Sequence, residues 1–411
     1  MHGNHLHILY LNPHLTRPNS EQGTWGRKFV DELRGLGVEV TTYPEYSIHQ
    51  ASPTCSRSGQ NRQLSRFFKS YSPNWLQHVF IEFMSIARGL WYSFRLGLWA
   101  KQFKSHPPDV IYGRVSYCDW APWLIGHTLC RPIILEVHSP HYLERTFRGW
   151  KQSRILQKYE QLQWKYASLI RVVSKPMVKI LEREGITPER ISFIPYGVEI
   201  LPQRVKDPSC HSSNLTIVFV GSFYSWHGVR ILLEAVALVK QHIPDLTLEL
   251  IGDGQTFHGD KQLTRILGLE DIVRFLGWLP RHKMLDHVRF ADIAVAPFLH
   301  IEPFYFDPVK ILDYMSTGVA IIASRLERIA EMLHYGRGGI LVPPGNAQVL
   351  ADNLVILAKN SHLREQLGIA AQEILEEEGY SWESTAQRVK GLCQEAIEHK
   401  GPPFSEVDAS G

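Results

Sequence analysis

Short apolar runs recur along the whole chain, and after each one apolar positions return every three or four residues. A buried strand followed by an amphipathic helix, repeated, is the pattern of β-α units feeding a parallel sheet. In the first half the strand-like runs are 7–11, 38–42, 110–112, 133–137, 169–173 and 191–194. The stretch 201–214 is polar, carries proline and breaks the pattern, so it reads as a linker. A second series follows at 215–220, 246–251, 273–276, 293–297, 319–323 and 339–342, with helical patterns such as 228–242 and 346–361 between them. The pattern predicts an α/β fold of two Rossmann-like, doubly wound domains facing each other across a cleft. They are expected at residues 1–200 and 201–380, with a helix at about 380–400 packing back on the first and a disordered tail at 401–411.

Composition narrows this little. A chain of 411 residues exceeds one ordinary core, while 44% hydrophobic and 21% charged residues suit a soluble enzyme. A net charge of +3 with no arginine-rich tail argues against a nucleic-acid partner. The five cysteines form no CxxC pair and are odd in number, which points to a reducing cytoplasm rather than a disulfide scaffold. The N-terminus runs directly into a strand-like segment, so no leader is expected. The most apolar stretch, 76–100, is interrupted by Glu82, Arg88 and Arg95, so no membrane span is expected.

The chemistry concentrates in a few places. Gly23-Thr24-Trp25-Gly26 follows the first strand and precedes a helical pattern, where glycine lets backbone approach a phosphate or sugar, or simply makes a tight turn. Its spacing is not GxGxxG, so a dinucleotide fingerprint is absent. His138 follows the run 133–137 and is therefore expected at the carboxyl end of a strand, where α/β proteins bind ligands. A lone histidine there is structural or catalytic; with His141 it lacks a third ligand for a metal. The strand 215–220 ends on Gly221-Ser222, with Trp226-His227-Gly228 leading into a helix, a plausible anion cradle. Gly252-Asp253-Gly254 ends the next strand and either borders a base or turns the chain. The stretch 304–318 predicts a short helix with Asp307 as N-cap and Pro308 at the first helical position. Lys310 and Asp313, three apart, fall on one side of it: a cation for phosphates and a carboxylate for ribose hydroxyls, or a salt-bridged surface helix.

These motifs, taken in order, resemble the family-4 retaining glycosyltransferases of the GT-B fold (glycosyl transferases group 1). The likeness covers nearly the whole chain and is strongest over 191–344. It rests on Ile194-Pro195-Tyr196-Gly197-Val198-Glu199, on the glycine strand 248–254, on Val273-Arg274-Phe275-Leu276-Gly277-Trp278, on Ala291-Asp292-Ile293 through Pro297, and on Gly318-Val319-Ala320 through Ser324. The resemblance implies an acceptor-binding first domain and a nucleotide-sugar-binding second domain. It implies that His138 contacts the transferred sugar and that the Gly23-Thr24 loop closes on the diphosphate. Amides near Asp307, Pro308 and Val309 would hold the diphosphate, Asp313 the ribose, and Gly252, Gly254 and Trp278 would border the base. Three residues depart from the pattern. Ser222 and His227 replace the family's arginine and lysine, and Tyr305 stands where its first glutamate is expected. Lys310 is read as the replacement cation, and Glu302 as an acid reaching the sugar through a longer loop. The expected activity is metal-independent, configuration-retaining transfer from a nucleoside-diphosphate sugar, with a uridine or guanosine base and no further cofactor. The rival readings are a nucleotide-sugar-binding protein with little transferase activity and a GT-B epimerase or phosphorylase.

One segment remains. Between residues 56 and 107 there are eight Lys or Arg and one acid, Glu82. Within it Leu76, Val79, Phe80, Phe83, Ile86, Ala87, Leu90, Trp91 and Phe94 recur at helical spacing, with Glu82, Ser85, Arg88, Tyr92 and Arg95 opposite. Such a stripe either packs on the first domain or lies on an anionic membrane surface, which would make residues 57–104 a membrane contact of a peripheral enzyme.

Overall fold

The computed structural model describes residues 6–15, 21–45, 74–115, 119–147, 154–202, 215–302 and 304–398. Most of the expected linker 201–214, the tail 401–411 and the part of the basic segment before Asn74 lie outside the described residues. The chain forms two compact units, Met1–Pro195 with Ala386–Gly411, and Tyr196–Thr385.

The first unit runs β1 (His7–Leu11), α1 (Glu21–Gly35), β2 (Glu39–Tyr43), α2 (Asn74–Ala100), β3 (Val110–Arg114), α3 (Ala121–Leu129), β4 (Ile133–Val137), α4 (His141–Phe147), α5 (Arg154–Tyr166), β5 (Leu169–Val172), α6 (Lys175–Arg183) and β6 (Ile191–Phe193). Its sheet is parallel, in the order β2-β1-β3-β4-β5-β6. The second unit runs β7 (Leu215–Val220), α7 (Val229–Val239), β8 (Leu246–Ile251), α8 (Phe257–Ile266), β9 (Val273–Gly277), α9 (Arg281–Phe290), β10 (Ile293–Ala296), α10 (Val309–Thr317), β11 (Ala320–Ser324), α11 (Glu327–Met332), β12 (Ile340–Val342), α12 (Ala347–Lys359) and α13 (Ser361–Glu377). Its sheet is parallel too, in the order β12-β11-β10-β7-β8-β9. The last helix, α14 (Trp382–Glu398), starts in the second unit and belongs to the first from Ala386 onward.

Every strand-like run of the two series forms a strand, because a parallel strand covered by helices on both faces needs near-continuous Val, Ile and Leu. In each sheet the strand order reverses once, between β1 and β3 and between β7 and β10, and ligand crevices open at the carboxyl ends of such strands. In the second unit β10 pairs with β7 only over Ile293–Ile217 and Ala294–Val218. Beyond that the strands part, and the buried Tyr314 hydroxyl spans them. It accepts from the Val220 N–H (2.8 Å) and donates to the Val295 carbonyl (3.4 Å).

Helix α2 forms where its spacing predicts, but the stripe of large apolar residues does not pack inward. The buried side is made of Gly89, Ser93, Leu96, Gly97 and Ala100, while Phe83, Leu90, Trp91, Phe94 and Leu98 face solvent. The approach to α3 is close at Gly97, where a Cβ would lie 2.5 Å from the Leu124 side chain.

Candidate functional site

The reversal point of the second sheet gathers five of the residues singled out in the sequence, Gly221, His227, Gly228, Gly252 and Lys310. Gly221 follows β7, and backbones approach closely at two points here. A Cβ on Gly252 would lie 2.0 Å from the Gly221 carbonyl oxygen, and one on Gly228 would lie 1.8 Å from that of Pro297, so side chains at either would force the backbones apart. A Cβ on Gly221 itself would meet Lys310 Nζ at 2.4 Å and His227 Nδ1 at 3.3 Å, which puts both groups against the same glycine. Lys310 arrives from the first turn of α10, is buried, and carries its ammonium over the rings of Phe219 (4.2 Å) and Phe298 (4.7 Å). Cation–π attraction of this desolvated kind supplies about 2 kcal/mol.

His227 does not act as a second cation here. Burial and then the Lys310 charge push its pKa down to about 2, against a hydrogen bond with the Ser222 backbone. Its Nδ1 has no hydrogen-bond partner among the described residues, so that bond falls to Nε2. The ring is neutral, and its bare Nδ1 lone pair faces the side where the ammonium sits. Ser222 is exposed beside it. Gly254 and its neighbours form the adjoining turn: the Phe223 N–H donates to the Asp253 carbonyl (3.0 Å) and the Gly254 N–H to Asp253 Oδ1 (2.7 Å). The Gly252 N–H donates to the Gly277 carbonyl (2.8 Å), which brings Trp278, 57% exposed, to the same edge.

The start of α10 differs from expectation. Pro308, with φ −73° and ψ 103°, is the N-cap residue and Val309 the first helical one, and no side chain caps the turn. Asp307 is not the cap because Arg328 takes both of its carboxylate oxygens, at 2.7 and 2.6 Å. The helix ends on Gly318, whose φ of 69° suits glycine and feeds β11. Asp313 does not pair with Lys310. Arg281 at the start of α9 holds it with two hydrogen bonds, 2.6 and 3.2 Å, and the carboxylate is buried. Glu302 is exposed, with His300 at 3.8 Å.

In the first unit His138 directly follows β4, as the sequence predicts, and three charged residues surround or support it. Arg114, Glu136 and Arg171 sit opposite one another across β3, β4 and β5, a buried row of alternating sign. Glu136 accepts from Arg171 Nη1 (2.9 Å) and from the Tyr112 hydroxyl (2.9 Å), and lies 2.6 Å from His138 Nε2. Burial opposes its ionisation, but Arg171, His138 and Arg114 outweigh it and hold the carboxyl below the usual range. Nδ1 of His138 lies 3.4 Å from Arg114 Nη2. Burial first and Arg114 second push the His138 pKa down to about 4, against Glu136. The neutral ring donates from Nε2 to Glu136 and accepts at Nδ1 from Arg114, so it is oriented and not a free proton shuttle.

Gly23 and Thr24 lie inside the first turn of α1 rather than in a loop before it, and Thr24 Oγ1 accepts from Arg27 Nη2 (3.1 Å). The close approach in this motif belongs to Gly26, where a Cβ would lie 2.4 Å from Asn12 Nδ2. Sequence reasoning missed Arg114, Arg171 and Arg281 as members of these clusters. The signal for Arg171 was present: a charged residue inside an otherwise apolar, fully buried strand requires a partner. Arg114 lies beyond the apolar run 110–112 and carried none. Arg281 sits at a helix start among polar neighbours and carried no such signal.

Comparisons agree with this outline. A family model described as Glycosyltransferase Family 4 matches residues 24–200, and one described as Glycosyl transferases group 1 matches residues 214–360. A phosphatidyl-myo-inositol mannosyltransferase of Mycobacterium leprae is 33% identical over 122 residues, 30% of this chain and 31% of that protein. A D-inositol 3-phosphate glycosyltransferase of Kribbella flavida is 30% identical over 137 residues, 33% of this chain and 31% of that protein. The matches thus span about a third of those relatives. Among solved structures, a sucrose-phosphate synthase of Thermosynechococcus elongatus superposes with a TM-score of 0.68 at 17% identity, over 96% of this chain and all of that one. HepE of Anabaena, solved in complex with UDP and glucose, superposes with a TM-score of 0.62 at 18% identity, over 95% of this chain and all of that one. Two parallel doubly wound sheets, the two matching models and these neighbours place the chain among the family-4 glycosyltransferases, with the two-domain GT-B fold.

Proposed function

We propose that the protein is a retaining glycosyltransferase that moves a sugar from a nucleoside-diphosphate donor, with a uridine or guanosine base, to a glycan, glycolipid or small-molecule acceptor. The observation that carries this is the convergence of Gly221, His227 and Lys310 at the reversal point of the second sheet. A buried ammonium against glycine backbone, next to the start of α10, suits a diphosphate whose charge grows as the glycosidic bond breaks. His227 is neutral beside the lysine, so one cation takes the place of the family's arginine and lysine. Gly252, Gly254 and Trp278 border the base, and Asp313 reaches the ribose alongside Arg281.

His138 presents an oriented, neutral ring to the transferred sugar. The carboxylate beside it, Glu136, is buried and bonded to Arg171 and Tyr112, which suits an orienting role and not a nucleophile's. This favours front-face displacement, in which the departing diphosphate takes the acceptor's proton and no metal is required. The acceptor is met at an anionic membrane surface touched by the segment 57–104.

Thermal shift with uridine and guanosine diphosphates and their sugars, without divalent metal, tests the donor. Ligand at 100 times its dissociation constant stabilises by about 2.7 kcal/mol. No shift with any nucleoside diphosphate, or one wholly dependent on metal, defeats the reading.

A further inference from the structure

We infer that the outward face of α2 is a membrane-seating surface for anionic phospholipid, lying in the plane of the headgroups. This deepens the partner named in the proposed function and rests on that reading only for the acceptor. From Gly89 to Ala100 the inner face of the helix is committed. Gly97 is in close contact with α3, and Ser93 Oγ accepts from the Trp120 N–H (2.8 Å) and donates to the Gly89 carbonyl (2.8 Å). With that side fixed, the large residues stand outside: Phe83 is 67% exposed, Trp91 62% and Phe94 55%, with Leu90 and Leu98 beside them. Positions 83, 87, 90, 94 and 98 advance by three or four, so they form one stripe about 22 Å long. Soluble surfaces rarely leave so continuous an apolar strip uncovered.

Charge selects the occupant. Arg88 and Arg95, seven apart, are exposed along one edge of the stripe, and Lys101 and Lys104 are exposed just beyond its end. From Phe83 to Pro108 the chain has no acidic residue. A second copy of this chain would set arginine near arginine across the contact, which repels. A leaflet offers acyl chains to the stripe and phosphates to its basic edge. Among the described residues no helix is long and apolar enough to cross a membrane, and in-plane seating needs no such span.

The test is co-sedimentation of the full chain with vesicles of phosphatidylcholine alone or mixed with phosphatidylglycerol. The mixed vesicles should bind at low ionic strength and release the protein in high salt. Arg88→Gln with Arg95→Gln should weaken binding about 30-fold, and Trp91→Ser with Phe94→Ser should weaken it as strongly at any salt. All these positions are exposed, and an unchanged nucleotide-induced thermal shift checks that the variants fold. Wild type that ignores mixed vesicles at low salt while keeping that shift overturns the membrane face and leaves the donor reading intact. A concentration-dependent dimer abolished by the Trp91 and Phe94 changes, with no vesicle binding, overturns it in favour of a second copy.

Discussion

Each unit holds a histidine near the carboxyl ends of its strands; burial and then a neighbouring cation keep both neutral, but in different surroundings. Around His138 the first unit builds a row of full charges, Arg114, Glu136 and Arg171, and the ring has a carboxylate on one nitrogen and a guanidinium on the other. Around His227 the second unit has no carboxylate; a lysine lies over two phenylalanine rings and the imidazole faces it bare. A paired row is internally satisfied and serves to hold a group in place. A cation lying over ring faces, with no carboxylate shown bonded to it, keeps much of its field for an incoming anion. The first arrangement is therefore built to orient and the second to bind.

That distinction should show most strongly in stability. Removing one partner of a buried, hydrogen-bonded charge pair costs about 3–5 kcal/mol, because the other charge is left uncompensated. Glu136→Ala should lose that much in chemical denaturation. Lys310→Met replaces a buried cation by an apolar chain of similar length and should cost about 1 kcal/mol or less. Equal losses would erase the contrast.

Binding should reverse the order. Lys310→Met should raise the dissociation constant of a nucleoside diphosphate about 10- to 100-fold, the worth of one hydrogen bond to a charged group, and leave the free nucleoside unchanged. His138→Ala should lower kcat by a similar factor with donor affinity little altered, since its ring is placed for the transferred sugar. Equal weakening of diphosphate and nucleoside by the lysine change would mean that Lys310 only fills space. Kinetics with the two residues' effects exchanged would overturn both roles.

The contrast also separates what the sequence could tell from what it could not. Strands were legible almost to the residue, because β1, β4, β7 and β8 are apolar runs bounded by polar turns. His138 and Gly221 were legible because strand ends in a doubly wound sheet are where ligands bind. The partners were not. Asp307 has the composition of an N-cap, yet Arg328, 21 residues on, competes for both oxygens, and long-range bidentate pairing outweighs a local cap. Spacing puts Asp313 and Lys310 on one side of α10, whereas each finds its neighbours in other elements, Arg281 for the first and Phe219 and Phe298 for the second. In α2 the period was right and the inward face was not, since periodicity shows that a stripe exists but not which neighbour is close enough to exclude it.

The two histidines should part again under acid. A histidine with a depressed folded pKa contributes stability above its unfolded value of about 6.5, and that stability is lost as pH falls toward the folded value. For His138 the loss runs from about 6.5 to about 4, and for His227 it continues to about 2. At pH 5 each should cost about 2 kcal/mol relative to neutral pH. Replacing either by asparagine should flatten that part of the curve. Between pH 4 and pH 3 only the His227 variant should still differ in slope from wild type. A shared window would mean the two environments are electrostatically alike.

The smallest effect is expected at Asp313. Its carboxylate is already bonded twice to Arg281, so a ribose hydroxyl competes for lone pairs that are in use, with little carboxylate surface left exposed. Asp313→Asn keeps one acceptor for Arg281 and one donor for the ribose, and should weaken donor binding about 2- to 10-fold, the range of an ordinary hydrogen bond. Arg281→Ala leaves a buried carboxylate without its cation. If Asp313 serves the ribose, this variant should weaken the nucleoside as much as the nucleoside diphosphate. Isothermal titration with both ligands decides the point. Should Arg281→Ala weaken only the diphosphate, Arg281 is itself a phosphate cation and Asp313 merely aims it, which would give the second unit the paired construction that otherwise marks the first.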